Sequence, residues 1–400
     1  MKKPFTLLLS TIIILTSAVF TVPTVATVRS ETININGVEL RCDVGDTGIL
    51  QIVMSNELSR EIAANNPNIA IDLRGVVDIV GYTLLFDPSV AKSVVVEFKN
   101  EVKVVLSAAN CMQLADNASG ELVVLRALYS RADNGKISGV EISTDTPLGN
   151  IIEAYGDIKP WLVSLPALGG TSAAKNVVIF EEGLNVVPRC RDEGGAISAY
   201  ICRSGKYTVQ KAEAKSFADI IPNWARDSVN WLSARDVVLG GDGNLYADSG
   251  VTRVEFAQMF VRLLSSNTDI TFSEAYYNDS AQLPLWANLN TSLVSILFGV
   301  SENDALNPNK VMSRCEMINA LYNYVAAGDL FYSDSNVALP FNDIEGMNHS
   351  ELYPLRILYE MGIIIGDGNS VCLGQSANRA QAMVALCRFA SWQLENGALE

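Results

Sequence analysis

One short sequence pattern occurs three times towards the C-terminal end of this 400-residue chain. It reads TRVE at residues 252–255, SRCE at 313–316 and NRAQ at 378–381, so that its arginines lie 61 and 65 residues apart. A pattern that recurs at a spacing of tens of residues indicates one supersecondary unit repeated along the chain. The chain is therefore interpreted first as a repeat protein with a binding or scaffolding role.

The polar ends of the pattern predict helix starts. A Thr, Ser or Asn followed three positions later by Glu or Gln is a capping box, in which each side chain bonds an otherwise unpaired backbone N–H. Apolar residues then recur at positions i, i+3, i+4 and i+7, which form one face of a helix. The sets are Phe256, Met259, Phe260 and Leu263; Met317, Ala320, Leu321 and Tyr324; and Ala382, Ala385, Leu386 and Phe389. We expect the three faces to share a core.

The arginine of the pattern is explained neither by capping nor by the apolar face. It occupies the first helical residue, where the helix dipole disfavours a cation. Arg253, Arg314 and Arg379 are therefore the first candidates for ligand contacts. The alternative is that each arginine pairs with a nearby carboxylate.

A second common block precedes each capping box. It begins with an aromatic residue and an Asp two positions later, contains Trp-Ala in the first two copies, and leads into a glycine-containing loop. Its candidate site residues are Asp219, Asp279, Asp343, Trp224, Trp286, Gly240 and Gly366. The tryptophans either stack on a sugar or fill the core, and the aspartates either bind a ligand or serve as turn and capping residues.

Together these motifs resemble S-layer homology (SLH) repeats, whose pattern runs aromatic-x-Asp-Ile/Val, Trp-Ala, Gly-Ile-x-x-Gly and Thr-Arg-Ala-Glu. The resemblance covers repeats at residues 217–266, 277–327 and 341–392. It implies an all-α pseudo-threefold bundle whose grooves hold a secondary cell-wall polymer, often pyruvylated, or a peptidoglycan-linked glycan. It also implies that the three motif arginines contact this polymer, with the other candidates in second rank.

Two departures from the family pattern fall in the third repeat. Ser350 stands where the pattern has Trp, and Gln381 stands where it has Glu. We expect the groove of this repeat to bind polymer more weakly than the other two.

The charge of the chain limits how it meets an anionic polymer. The formal net charge is −15, so long-range attraction is excluded and nucleic-acid binding is not expected. A pyruvyl ketal carries a carboxylate, and an arginine beside exposed helix N–H groups offers that carboxylate a bidentate fork and a positive dipole end. Binding is therefore expected to be short-range.

The first 30 residues are typical of a signal peptide. Two lysines precede an apolar run from Phe5 to Phe20, and Pro23 and small residues near Ala26 follow. We expect cleavage between Ala26 and Ser30, which leaves an extracellular protein at the cell wall or S-layer with no membrane segment. An uncleaved membrane anchor is the alternative, although the run is near the short limit for a span.

Residues 31–208 are predicted to form a β-rich module of one or two domains. Glycine, asparagine and aspartate separate short β-rich runs, as hairpins require. The runs are 76–86, 93–98, 101–106, 121–128, 136–143, 176–180 and 197–202, with a helix at 108–118 and a hairpin at 186–209. A short linker, 209–216, precedes the repeats. The predicted fold class is thus α+β multidomain: a β-rich module followed by the all-α bundle.

Seven cysteines follow the predicted signal peptide. Cys190 and Cys202 are candidates for a disulfide across the hairpin, whereas Cys315 and Cys387 lie in capped helices and are interpreted as buried apolar residues. The chain has no Cys-x-x-Cys pair, so neither a zinc site nor a thioredoxin-like site is predicted. No metal and no cofactor are expected.

Two functional interpretations remain open. The chain has a single histidine, His349, which leaves no Ser-His-Asp triad, so an enzyme is not expected. The first interpretation is a structural, wall-attached surface protein, with which self-assembly on the surface is compatible. The second is an adhesin or carbohydrate-binding protein whose β-rich half recognises an external ligand. Sugar-binding platforms favour clustered Trp or Tyr, and the sparse set in this half favours the structural role: Trp161, Tyr82, Tyr129, Tyr155, Tyr200 and Tyr207.

Overall fold

The structure is a computed structural model that describes residues 27–99, 102–118, 120–145, 161–168, 176–181, 185–192, 195–201, 204–264, 277–287, 289, 291–327 and 337–396. The predicted signal peptide therefore lies outside the described residues, except for 27–30. Those four residues open the first strand, and the side chain of Ser30 donates to Asp43 in the next strand. Cleavage at Ala26 would leave this strand whole.

Fifteen strands occupy the described residues before 212. They are β1 Thr27–Ile35, β2 Val38–Gly45, β3 Ile49–Val53, β4 Asn68–Asp72, β5 Gly81–Phe86, β6 Ser93–Glu97, β7 Lys103–Leu106, β8 Val123–Arg131, β9 Ile137–Asp145, β10 Trp161–Pro166, β11 Asn176–Phe180, β12 Asn185–Val186, β13 Cys190–Asp192, β14 Ala196–Ile201 and β15 Gly205–Lys211.

Two α-helices interrupt these strands, and six more follow them in the described part of the chain. They are α1 Asn56–Asn65, α2 Ala108–Ala118, α3 Arg226–Ser233, α4 Arg253–Leu264, α5 Thr291–Phe298, α6 Arg314–Ala327, α7 His349–Glu360 and α8 Arg379–Asn396.

The strands form one sheet in the order β12-β11-β15-β9-β8-β5-β3-β2-β1-β4-β6-β7-β10-β14-β13. β1 and β4 are joined through a single residue pair, Ile35 with Ile71, so the sheet bends sharply there into two layers. β11 lies against β13 and β14, which brings the two ends of the sheet together. One core fills the space between the layers and includes the fully buried Tyr82, Phe86 and Tyr207.

The hairpin of β1 and β2 shows how local sequence sets this register. Asn36 and Gly37 both have positive φ (49° and 89°), as a two-residue type I′ turn requires. The side chain of Asn36 also donates to the carbonyls of Asn66 and Asn68, which fixes the turn beside β4. The hairpin therefore links the two layers.

The helical part divides into three segments, which we call segment 1 (217–264), segment 2 (277–327) and segment 3 (337–396). The predicted apolar faces of α4, α6 and α8 are buried in one core. One ring from each helix meets the other two, with centroids 4.9 Å apart for Phe260 and Tyr324, 5.5 Å for Phe260 and Phe389, and 5.6 Å for Tyr324 and Phe389. The prediction of a shared core is confirmed.

The predicted fold class is wrong, although the chain does begin with a β-rich part. That part is one large, nearly closed sheet, and the described residues after it do not form an all-α pseudo-threefold bundle of three SLH repeats. Extended backbone joins the segments at isolated bridges: Gly250 with Asn378, Thr252 with Val311, and Ser313 with Ser376. These bridges form because the backbone groups that precede a helix have no partner within that helix and must pair with backbone elsewhere.

The structure decides several of the local predictions for the β-rich part. The helix at 108–118 is confirmed as α2. β15 continues to Lys211 and so includes the first three residues of the predicted linker. In the hairpin of β13 and β14, Cys190 pairs with Ala199. Cys202 lies outside the described residues. β1 to β4 were not among the predicted runs. Asn36-Gly37, flanked by alternating apolar and polar residues, is nevertheless a sequence pattern that predicts a hairpin.

Candidate functional site

Each of the three helices α4, α6 and α8 begins with a complete capping box. In α4 the N–H of Glu255 donates to the Oγ1 of Thr252 (3.4 Å), and the N–H of Thr252 donates to the Oε2 of Glu255 (2.9 Å). The same reciprocal bonds join Ser313 to Glu316 and Asn378 to Gln381. The predicted capping boxes are confirmed, and a motif arginine is the first residue of each helix.

The backbone N–H groups at these helix starts are bonded within the protein. Each motif arginine donates its N–H to a carbonyl of another segment: Arg253 to Lys310 (3.0 Å), Arg314 to Gln375 (2.8 Å) and Arg379 to Ser249 (2.9 Å). The N–H of the following residue donates likewise to Pro308, Leu373 and Ala247 in turn. A ligand cannot use donors that are already engaged. The expectation of exposed helix N–H groups therefore does not hold, and the guanidinium groups remain as the donors to be considered.

Each guanidinium also reaches into another segment. It donates to one carbonyl there: Leu306 for Arg253 (2.9 Å), Val371 for Arg314 (2.6 Å) and Leu245 for Arg379 (2.9 Å). Segment 1 thus contacts segment 2, segment 2 contacts segment 3, and segment 3 returns to segment 1. We call the three places the Arg253, Arg314 and Arg379 corners.

The corners differ in their carboxylates. Nη1 of Arg379 lies 2.6 Å from the Oε1 of Glu255, and Nη2 of Arg253 lies 3.2 Å from the Oε1 of Glu316. By the same repeat order, the residue that corresponds to these glutamates at the Arg314 corner is Gln381, which carries no charge. Within the described part of the chain, no carboxylate forms an ion pair with Arg314. Carboxylate pairing, the alternative considered for all three arginines, therefore occurs at two.

Electrostatics separates the corners further. Lys310 Nζ lies 2.5 Å from the Oε1 of Glu316 and so competes with Arg253 for the same oxygen. Burial raises the pKa of Glu316, but hydrogen bonds from Lys310, the N–H of Ser313 and Arg253 outweigh it and lower the pKa to about 2. Burial lowers the pKa of Arg314, although the nearby Cys372, Asp343 and Asp367 oppose this. Arginine stays protonated in proteins, so Arg314 is a partly buried cation.

The three candidate aspartates fasten loops. The carboxylate of Asp219 accepts from the N–H groups of Leu245 (2.6 Å) and Tyr246 (2.7 Å). Asp279 holds Leu306 and Asn307 in the same way, and Asp343 holds Val371 and Cys372. In each pair, the first residue is the one whose carbonyl accepts from a motif arginine. The aspartates therefore place the acceptor of each corner.

The second residue of each of these pairs has a left-handed backbone. The φ angles are 56° for Tyr246, 53° for Asn307 and 54° for Cys372. Consecutive N–H groups that converge in this way form a concave anion site, and here the anion is the protein's own carboxylate. Burial raises the pKa of Asp219 and of Asp343, but these backbone hydrogen bonds bring both below the ordinary value.

The two candidate glycines are required by the backbone. Gly240 and Gly366 both have φ of 70°, which favours glycine. A Cβ on Gly366 would lie 2.3 Å from the ring of Phe341, and one on Gly240 would lie 2.8 Å from the ring of Phe217. Their absent side chains let an aromatic ring pack under the loop that carries each acceptor carbonyl.

The two candidate tryptophans lie at the surface. Trp224 is 56% exposed and Trp286 is 52% exposed, so neither fills the core. They precede α3 and α5, and each is followed by an alanine that packs inward. Ser350, which replaces the tryptophan in segment 3, is also exposed, in the first turn of α7. Of the two roles considered for the tryptophans, filling the core is excluded by their exposure, and stacking on a sugar remains.

The aromatic side chains of the β-rich part have the opposite disposition. Within the described residues, all five of those considered above are buried: Trp161, Tyr82, Tyr129, Tyr200 and Tyr207. Tyr155 lies outside the described residues. The described aromatic residues of this set therefore form no exposed platform.

Neither a membrane-spanning helix nor a metal-binding cluster occurs among the described residues. No helix among them is long and apolar enough to cross a membrane. They also contain no group of three His, Cys, Asp or Glu side chains arranged to hold a metal ion.

Comparison with known proteins identifies the module that contains the first corner arginine. Residues 216–257 match the model of the S-layer homology domain, which overlaps the first of the three predicted repeats, 217–266, but ends before its last nine residues. This part of the chain is thus similar to an SLH domain. The chain is 30% identical over 174 residues to an amylopullulanase from Thermoanaerobacterium thermosulfurigenes and 27% identical over 253 residues to the exoglucanase XynX from Acetivibrio thermocellus. The SLH domain and these relatives indicate a protein anchored to the cell wall at the cell surface.

These relatives are much longer than the matched region. The matches cover 42% and 59% of this chain but only 9% and 22% of the amylopullulanase and the exoglucanase. The chain therefore spans a small part of the relatives that it matches.

The sequence did not indicate the ion-pair partners of the corners. Glu255 and Glu316 were explained by capping alone, yet each uses one oxygen for the cap and the other for an arginine of another segment. A carboxylate has two oxygens and can do both. The available signal was an Arg and a Glu in one repeated motif, which allows each copy to pair with the next.

Proposed function

We propose that this is an exported surface protein held non-covalently to the cell wall through its helical part, which contains the SLH match at residues 216–257. The ligand is a secondary cell-wall polymer that carries single anionic groups, such as the carboxylate of a pyruvyl ketal. The protein has a structural or S-layer-associated role and no catalytic activity.

The observation that carries this proposal is the Arg314 corner. Its guanidinium is partly buried and held at Nε by the carbonyl of Val371, but no described carboxylate pairs with it. A fixed, partly buried guanidinium with no direct ion-pair partner favours a ligand carboxylate or phosphate, because charge-assisted bonds are strongest where water is partly excluded. Asp343 and Asp367 lie near enough to act on the Arg314 charge but do not pair with it.

The overall charge supports a local site of this kind. With a net charge of −15, the chain repels a polyanion at long range. Each contact must therefore repay this repulsion at short range, and a bidentate guanidinium contact can do so. The exposed Trp224 and Trp286 supply flat apolar surfaces on which sugar rings can stack.

Two observations favour the anchor over the other functions considered. The relatives bear the names of glycan-degrading enzymes, but only 9% and 22% of their lengths are matched, and we propose that the shared part is the wall anchor. The buried aromatic residues of the β-rich part offer no support for the adhesin or carbohydrate-binding alternative.

Sedimentation with isolated cell walls tests the proposal. The full chain is mixed with walls before and after chemical removal of the secondary polymer, and the pelleted fraction is measured. We expect the protein to pellet with intact walls and to stay in solution with stripped walls. Equal pelleting with both would contradict the proposal.

A competition experiment tests the anionic group. Soluble polymer fragments with and without the pyruvyl group are added to the mixture of protein and intact walls. We expect release only by the pyruvylated fragments if the carboxylate is the recognised anion. Equal release by both would show that the anion is not a pyruvyl carboxylate.

A further inference from the structure

The helical part and the β-rich part are packed against each other at the end of α8. Leu394, in the last turn of α8, is 4% exposed and packs against Val105, Leu162 and Tyr200 of the sheet. The Tyr200 hydroxyl donates to the carbonyl of Gln393 (2.7 Å). Glu395, one residue beyond Leu394, forms an ion pair with Arg191 of β13. Three consecutive residues of one helix thus contact the sheet by an apolar, a backbone and an ionic interaction.

Arg235 makes a second connection, from the end of α3. It is only 5% exposed, and its guanidinium donates to the carbonyls of Cys190 (3.0 Å) and Asn176 (3.4 Å), which belong to β13 and β11. It also donates to the carbonyl of Trp231 and lies 4.2 Å from the centre of that ring. No carboxylate in the described part of the chain forms an ion pair with it.

A buried guanidinium that is bonded to carbonyls depends on all of them. Because a charge is costly to bury without hydrogen-bond partners, Arg235 is stable in this position only while β11 and β13 supply their carbonyls. These strands lie near the two ends of the sheet, where it closes on itself. The contact therefore ties the helical part to the closure of the sheet.

Arg189 crosses the same boundary in the opposite direction. It precedes β13, is 5% exposed, and donates to the carbonyl of Leu264 at the end of α4 (3.0 Å) and to the side chain of Gln393 in α8 (3.4 Å). Its guanidinium also lies 5.3 Å from the centre of the Tyr200 ring. Each part thus inserts a buried arginine into the other.

We infer that these contacts form a docking surface between the two parts, strong enough to hold them together without the connecting chain. The docking surface consists of Arg189, Arg191, Tyr200, Arg235, Gln393, Leu394 and Glu395. It fits a single partner, the complementary face of the same chain, because both faces insert buried charged groups that need specific acceptors opposite them.

The docking surface fixes how the sheet is oriented relative to the corners. The first residue of α8 is Arg379, which sits in a corner, and its last turn sits in the docking surface. An 18-residue helix is about 27 Å long, at about 1.5 Å per residue. α8 therefore acts as a rigid connection between the corners and the β-rich part.

Cleavage of the connecting chain tests this inference. A protease recognition sequence is inserted after Glu213, which is exposed. The next residue with a side-chain or backbone hydrogen bond is Lys215, which contacts Ser233 and Asp236 within the helical part. Cleavage after Glu213 therefore does not interrupt these contacts. After cleavage, size-exclusion chromatography at about 1 µM protein shows whether the parts co-elute.

We expect the two parts of the cleaved wild-type protein to co-elute as one species. The double variant Arg235→Ala with Leu394→Asp should separate into two species, whereas Arg226→Ala, an exposed arginine at the start of the same helix α3, should co-elute like the wild type. Thermal unfolding before cleavage confirms that each variant is folded. Arg235→Lys, which keeps the charge but not the planar fork, should weaken association by an intermediate amount.

Two results would overturn the inference. Separation of the cleaved wild-type protein would show that the connecting chain holds the parts together. Co-elution of the double variant would show that other residues form the docking surface. Should the double variant fail to fold, the wild-type result and the single Arg235→Lys variant still decide the question.

Discussion

The Arg314 and Arg379 corners have the same backbone but different electrostatics. In both, an aspartate fastens a loop, the loop presents a carbonyl, and a motif arginine of another segment donates to it. At the Arg379 corner the second partner is Glu255, at 2.6 Å, whereas the equivalent residue at the Arg314 corner is the neutral Gln381. One amide in place of one carboxylate thus separates an arginine that has an ion-pair partner in another segment from one that has none among the described residues.

This difference reverses the interpretation of Gln381 reached from sequence. A departure from the family motif in segment 3 was expected to weaken the groove of that segment. In the structure, the capping residues Glu255 and Glu316 each pair with the arginine of a different segment. By the same repeat order Gln381 corresponds to Arg314, so the departure concerns Arg314 and not Arg379. We therefore expect the loss of Glu to favour ligand binding, at the Arg314 corner.

The largest effect is expected from disturbing the loop that presents the Val371 carbonyl. Gly366→Ala should destabilise the fold by about 3 kcal/mol, because a Cβ would lie 2.3 Å from Phe341 on a backbone with φ of 70°. Gly368→Ala is the matched control in the same loop, with positive φ but no atom within 4 Å of its Cβ, and should cost about 1 kcal/mol. Chemical denaturation measures both, and equal losses would contradict the role of the close contact.

The second prediction is that Arg314→Ala and Arg379→Ala rank in opposite order in two measurements, wall binding and melting temperature. Arg314→Ala should weaken binding to cell walls about tenfold, because it removes the guanidinium that lacks a carboxylate. Arg379→Ala should weaken wall binding less but lower the melting temperature more, because it breaks both a carbonyl contact and an ion pair. The same ranking in both measurements would mean that the two arginines do not have separate roles.

The local elements could be predicted because they depend on neighbouring residues. The capping boxes involve residues three positions apart, and α2 and the apolar faces follow from helical spacing. The corners could not be predicted in this way. Arg379 bonds a carbonyl 134 residues away, and any residue can supply a carbonyl, so its identity leaves no mark in the sequence. The exposure of Trp224 was likewise left open, because both roles suit a tryptophan at a helix start.

A smaller effect concerns the Arg253 corner, which is intermediate between the other two. The pKa of Glu316 is lowered from 4.5 to about 2, so its contribution to stability is present above about pH 4.5 and is lost as the pH falls towards 2. Glu316→Gln should flatten this part of the stability profile, measured by thermal unfolding between pH 7 and pH 2. Parallel profiles for the variant and the wild type would show that this carboxylate does not account for the pH dependence.

The most direct test exchanges the two residues that distinguish the corners. Gln381→Glu supplies Arg314 with a carboxylate, and Glu255→Gln removes one from Arg379, so each variant gives one corner the electrostatics of the other. The measurement is the affinity of the full-length variants for intact cell walls. We predict that Gln381→Glu weakens binding about threefold and that Glu255→Gln does not weaken it. Wild-type affinity in Gln381→Glu, or a larger loss in Glu255→Gln, would contradict the account.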